Sequence, residues 1–166
     1  NFMGLLDSGI NMPQALGLAT ISPSGKYMAV GVAVLNSNDQ HVFIYEIDRC
    51  SGSLAFRDSF SLVTQLWPGF GFSSNEKYLY TSSESRYLWQ FDIEASDIGA
   101  SRVLVGEYDG FVHGSNSPTT FGPIMQTPDG RLYVVPTTAS NEYLHVIDRP
   151  DEPGTACKLR QHAINL

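Results

Sequence analysis

Few side chains in this sequence stand at spacings that chemistry requires. Its four histidines, His41, His113, His145 and His162, are the groups able to exchange protons near neutrality. None belongs to an H-E-x-x-H motif, and the chain has no G-x-S-x-G elbow, no phosphate-binding loop and no EF-hand loop. Gly69 and Gly71 lack the third glycine and the following helix of a dinucleotide fingerprint. His41, His145 and His162 fall in predicted strands, where an ordinary structural role suffices. His113 differs, because it shares the long stretch 106–120 with Tyr108, Asp109 and Asn116. A loop of that length between strands is uncommon unless it binds something or moves.

Two further patterns invite a functional reading. Asp48, Asp92 and Asp148 close three similar segments, so a ring of metal ligands can be drawn through them. The simpler expectation is that an Asp at a strand end accepts hydrogen bonds from the backbone of the next turn. Trp67 and Phe121 stand at matching places, each six residues ahead of a polar turn. Aromatics there can stack on a sugar or anchor a peptide, or they can pack in the core. The candidate binding residues are therefore Trp67, Phe121, His113 and Tyr108. No catalytic residue, metal or cofactor is assigned.

The elements that must position these residues come in three copies. Ile21-Ser22-Pro23-Ser24-Gly25-Lys26-Tyr27, Phe72-Ser73-Ser74-Asn75-Glu76-Lys77-Tyr78 and Gln126-Thr127-Pro128-Asp129-Gly130-Arg131-Leu132 align, with Ser22, Ser73 and Thr127 spaced by 51 and 54 residues. Each turn precedes a short apolar strand and then a second run ending in an acid, as in Tyr87-Leu88-Trp89-Gln90-Phe91-Asp92. A period near 50 with several short strands per copy marks a β-propeller blade. The expected fold is all-β, about three four-stranded antiparallel sheets forming a partial propeller, with blades near 15–65, 66–118 and 119–166. Small residues (Ala15, Gly17, Ala19, Gly69, Gly71, Gly122) mark the inner strands, and bulky ones the second and third. Three blades leave open faces, to be covered by other blades or by other chains.

Composition narrows the partners. The 166 residues carry a net charge of −7 with ten Lys plus Arg, which argues against nucleic acid and anionic membranes. No apolar run reaches the ~20 residues of a membrane span. Cys50 and Cys157 form no C-x-x-C pair and sit two copies apart, so free thiols or outside partners are preferred to a mutual bridge. The chain opens in mid-phrase with Asn1-Phe2-Met3, and Ala163-Ile164-Asn165-Leu166 looks like the first strand of a further copy, so a piece of something longer is expected.

The turn and strand of copy two, the Trp89-Gln90-Phe91-Asp92-Ile93 run, Ile47-Asp48-Arg49-Cys50-Ser51-Gly52, Pro128-Asp129-Gly130-Arg131-Leu132-Tyr133, and Ile147-Asp148-Arg149-Pro150 with Gly154 and Cys157 together resemble a known family. It is the propeller region of secreted Bacteroidetes surface proteins of the gliding-motility-associated kind, which usually end in a type IX secretion sorting domain. Where a Cys-Gly pair often precedes the turn, this chain has Pro68-Gly69, and the sorting domain does not lie within these 166 residues. The resemblance implies an extracellular or cell-surface address and carries over no catalytic residue. The expected function is a non-catalytic protein- or glycan-binding module. A lactonase-like propeller enzyme and a structural subunit of an extracellular assembly are the alternatives. Alanine at Trp67 or Phe121 is then expected to weaken binding without unfolding the domain.

Overall fold

The computed structural model describes residues 16–33, 39–63, 69–83, 86–114, 116–138 and 141–166. They form three four-stranded antiparallel sheets, each a meander in chain order. The first holds β1 (Leu16–Ile21), β2 (Tyr27–Ala33), β3 (Asp39–Ile47) and β4 (Leu54–Val63); the second holds β5 (Phe70–Phe72), β6 (Tyr78–Ser83), β7 (Tyr87–Asp92) and β8 (Val103–Glu107). A small ribbon, β9 (Val112–His113) with β10 (Ser117–Pro118), precedes the third sheet of β11 (Ile124–Gln126), β12 (Leu132–Val134), β13 (Tyr143–Ile147) and β14 (Leu159–Asn165). The architecture is all-β and propeller-like, with the sheets left unclosed. One 3-10 turn, Gly154–Cys157, is the only helical element among the described residues. Ala163, Ile164 and Asn165 belong to β14, the outer strand of the third sheet, rather than starting a further copy.

Alternation along each strand sends side chains to opposite faces of a sheet. Tyr27, Ala29, Val42, Ile44 and Leu62 point forward from the first sheet and pack against Phe70, Phe72, Leu79 and Phe91 on the rear of the second. Tyr78, Tyr80, Leu88 and Val105 point forward from the second sheet onto Ile124, Leu132, Val134 and Ile147 on the rear of the third. The Phe60 and Phe91 rings, 4.3 Å apart, stack across the first junction. Polar ties lock each junction at the turn between third and fourth strands. Arg57 donates to the Ile93 carbonyl (2.7 and 3.1 Å) and Asp58 accepts from the Ile98 N–H. At the second junction Tyr80 Oη donates to the Pro150 carbonyl (2.8 Å), while Gln90 donates to the Glu152 carbonyl and accepts from the Gly154 N–H.

The third copy departs from the other two by one residue. Ser22 and Ser73 donate to the carbonyls of Tyr27 and Tyr78, five residues on, whereas Thr127 donates to Arg131, four residues on. Ile21 pairs with Met28 and Phe72 with Leu79, but Gln126 pairs with Leu132. Leu132 is thus the counterpart of Met28 and Leu79, not of Tyr27 and Tyr78 as the aligned turns suggest. A shift of one residue exchanges the two faces of a strand. That exchange is why Leu132 faces back into the second junction.

The register also corrects the column of acids. Tyr27 opposes Glu46, Tyr78 opposes Asp92, and Leu132 opposes Ile147, so the equivalent acids are Glu46, Asp92 and Asp148. Each meets the basic residue just after the first turn: Lys26–Glu46 and Lys77–Asp92 at 3.9 Å and Arg131–Asp148 at 3.6 Å. Asp48 does cap its turn, accepting from the Cys50 N–H and Ser51 Oγ, and Asp92 accepts from the Glu94 N–H. Asp148 instead takes a two-pronged grip from Arg160 at 2.6 and 3.0 Å. Such exposed pairs contribute under about 1 kcal/mol each.

The inner strands meet where the sequence places its glycines. A Cβ on Gly69 would lie 2.3 Å from the Gly122 carbonyl oxygen and 2.5 Å from the Ile124 nitrogen, and one on Gly71 would lie 2.6 Å from Ile124 Cγ2. Ser82 Oγ ties the same place together, accepting from the Gly69 N–H (2.6 Å) and donating to the Gly122 carbonyl (3.0 Å). Backbone cannot yield as a flexible side chain can, so Gly69→Ala is expected to destabilise the fold by about 1–3 kcal/mol. Urea denaturation checks this, with the open-space Gly110→Ala as the comparison for the effect of its positive φ alone.

Candidate functional site

The 108–120 segment leaves β8 and folds back on the third sheet. Tyr108 N–H donates to the Arg86 carbonyl (2.8 Å), and its Oη donates to the Phe111 carbonyl (2.6 Å), which also accepts from the Thr119 N–H and Oγ1. Asp109 accepts from the Phe111 N–H (3.0 Å), closing a tight Asx-type loop. Asn141 and Thr138, from the β12–β13 connection, donate to the carbonyls of the β9–β10 ribbon. The segment is therefore fixed at both ends.

These ties bring a set of rings together. Phe111 lies 4.3 Å from His162 and 5.3 Å, edge-on, from Tyr143. His113 meets Tyr143 edge-on at 5.2 Å and stands 3.7 Å from the Glu142 carboxylate. Phe111, His113, Tyr143 and His162 are half-buried, and the acids Asp109 and Glu142 at their rim are exposed. His162 Nε2 pairs with Asp109 Oδ2 at 2.8 Å. Burial raises the Asp109 pKa, but the Phe111 N–H and His162 outweigh it and hold the carboxyl below its usual range.

A bulge in β14 aims His162. Leu144 pairs with Ile164 and Val146 with Arg160, which leaves Gln161, His162 and Ala163 opposite His145. His162 takes φ +36°, a left-handed conformation that a residue with a Cβ adopts at a cost. In return its N–H donates to His145 Nδ1 (3.1 Å) and its ring reaches Asp109. His145 is wholly buried, edge-on to Phe121 at 4.9 Å. Its Nε2 has no hydrogen-bond partner among the described residues. Burial, helped by the neighbouring His162, pushes the His145 pKa down to about 4.

Of the residues singled out by sequence, Tyr108 and His113 are joined at this cluster. Phe121 is not a surface aromatic: it is 1 % exposed and packs in the second core behind His145, so a ligand cannot reach it. Its expected role is corrected to packing, and truncation there should unfold rather than merely weaken. Trp67 lies outside the described residues. Phe111, Tyr143 and His162 were not singled out as binding residues. One signal was available, since His145 occupies the β13 place held by Trp89 in the second copy, and a titratable ring in an aromatic column marks an unusual environment. A second feature is a pocket of about 140 Å³ among the inner strands, lined by Leu18, Ala19, Thr20, Gly69, Phe70, Pro123 and Ile124. Thr20 is the one polar side chain in that lining. Among the described residues no cluster of three or more His, Cys, Asp or Glu is placed to hold a metal. Cys50 is exposed in the turn between β3 and β4, and Cys157 is buried in the second core.

No family model and no curated relative matches the chain. Among solved structures it is similar to the periplasmic gluconolactonase PpgL of Pseudomonas aeruginosa, with 16% identity, a TM-score of 0.46, and coverage of 87% of this chain. The chain spans 38% of that structure's length. No described helix is long and apolar enough to cross a membrane.

Two outcomes follow from the buried side chains here. Phe121→Ala is expected to destabilise by about 3–5 kcal/mol in chemical denaturation, the cost of emptying a buried aromatic site. His145 is neutral when folded down to about pH 4, while the unfolded chain protonates it near 6.5. Stability should therefore fall as pH drops from 6.5 toward 4, by on the order of 3 kcal/mol. His145→Gln should flatten the slope of unfolding free energy in that window.

Proposed function

We propose that this chain is a non-catalytic binding module of an exported protein, and that it takes a hydroxyl-rich ligand, a glycan, on the face built by Phe111, His113 and Tyr143. The observation that carries the proposal is the juxtaposition of half-exposed rings with two rim carboxylates, Asp109 and Glu142. Sugar rings present C–H faces that stack on aromatics and hydroxyls that donate to carboxylates. The chain's negative charge suits a neutral ligand better than a polyanionic one. The exported address rests on the resemblance of the repeat phrases to secreted surface proteins.

Binding, rather than turnover, is the reading the contacts support. His162 and Asp109 form a hydrogen-bonded pair, yet among the described residues the groups around them are rings and backbone, with no hydroxyl or thiol hydrogen-bonded to His162 as a nucleophile. A lactonase-like centre would need acids at the axis, and the axial pocket offers apolar side chains and Thr20.

Isothermal titration against a set of neutral oligosaccharides tests this. A ligand found there should lose at least about tenfold in affinity with Phe111→Ala and with Asp109→Asn, while far-UV circular dichroism stays unchanged. Affinity for no member of the set, or affinity indifferent to both substitutions, overturns the assignment.

A further inference from the structure

The residues of the β14 bulge also hold the loop that carries the ring cluster. Gln161 donates from Nε2 to the Glu107 carbonyl (2.7 Å) and accepts from the Asp109 N–H (3.2 Å). His162 pairs with the Asp109 carboxylate at 2.8 Å and lies against the Phe111 ring. Asp109 in turn accepts from the Phe111 N–H, so the place of Phe111 depends on the bulge. The bulge is anchored from β13, where His145 Nδ1 accepts from the His162 N–H (3.1 Å). Left-handed backbone such as that of His162 persists only where its surroundings hold it there.

An imidazole nitrogen that accepts a hydrogen bond carries no proton, so the neutral His145 ring holds its proton on Nε2. A second proton, taken from solvent, goes to Nδ1, and the new N–H then faces the His162 N–H, donor against donor. We propose that His145 is a proton-operated latch of the ring cluster. With Nδ1 bare it holds Gln161 and His162 in the bulge and, through them, Asp109 and Phe111 in place; a proton on Nδ1 releases the bulge and frees the loop. The groups around the ring set when this happens. His162 faces it from β14 and Asp109 from the loop, β12 sets Val134 opposite, and the Phe121 ring lies edge-on to it. Farther along the same strands Asp148 grips Arg160, and Glu142 stands near His113. Burial and His162 oppose the proton, Asp109 and the backbone of Thr119 and Thr120 favour it, and the balance places the change at about pH 4. His162 donates to Asp109 from Nε2 in either of its own charge states, so the release begins at His145. That the latch governs a ligand rests on the glycan reading above; the latch itself does not.

NMR on the isotope-labelled, ligand-free chain tests this, following the His145 ring nitrogens and amide hydrogen exchange as pH is lowered from about 6.5 to about 4. As Nδ1 takes its proton, protection of the His162, Asp109 and Phe111 amides should fall at least about tenfold relative to the β6 and β7 amides, after correction for the pH dependence of exchange itself. His145→Asn sets a side-chain oxygen near the place of Nδ1 that accepts a hydrogen bond and does not titrate, so those amides should stay protected at both ends of the range. Where that variant does not fold, the parent chain decides alone, because loss of protection must track the proton on Nδ1. An Nδ1 that takes no proton in this range overturns the latch, as does protection that holds while Nδ1 titrates. A loss spread evenly over the third sheet, which is ordinary acid unfolding, or one that His145→Asn retains, also overturns it. Failure to find a sugar that binds removes the glycan assignment and leaves the latch standing, so the two fail separately.

Discussion

Everything else in the molecule depends on how closely three inner strands can approach one another. Gly69 lets the second sheet's backbone meet that of the third at Gly122 and Ile124, Gly71 makes room for the Ile124 side chain, and Ser82 ties the place together with two hydrogen bonds. Only with the inner edges this close do the second and third strands splay at an angle that their large side chains can fill. The two cores are the result: one between the first and second sheets around Leu79 and Phe91, the other between the second and third around Tyr80 and Leu132. The polar ties of Arg57, Tyr80 and Gln90 then fix each junction to the turn between the third and fourth strands of the next sheet.

Much of this was legible because repetition is a strong signal. Three turn phrases at a period near 50 predicted the three sheets, and the small residues on the inner strands predicted the crowding at the axis. What was not legible traces to register. Sequence alignment of the third turn cannot reveal that Thr127 closes a hairpin one residue shorter, because Leu132, Tyr133 and Val134 are apolar in either register and Arg131 aligns with Lys26 and Lys77. The same blindness put Asp48 in a column that belongs to Glu46.

The site was half visible for a related reason. Tyr108 and His113 announced themselves through the length of their loop, a local property. Phe111, Tyr143 and His162 converge on them through a bulge and a left-handed backbone at His162, which depend on what β13 and β14 do together. Phe121 misled because position alone does not tell a mouth from a wall; its ring supports His145 from behind.

The shortened third hairpin has a consequence for how such an array can change. With Leu132 facing backward where its aligned partners Tyr27 and Tyr78 face forward, the three hairpins are no longer interchangeable parts. Transplanting the first or second hairpin into the third place would put Met28 or Leu79 where Leu132 stands and place the ring of Tyr27 or Tyr78 at the position of Arg131, removing the partner of Asp148. The copies therefore share a pattern of residue types but not a length of turn, and one residue decides whether an aromatic ring or a charged side chain stands across from the acid of the third strand.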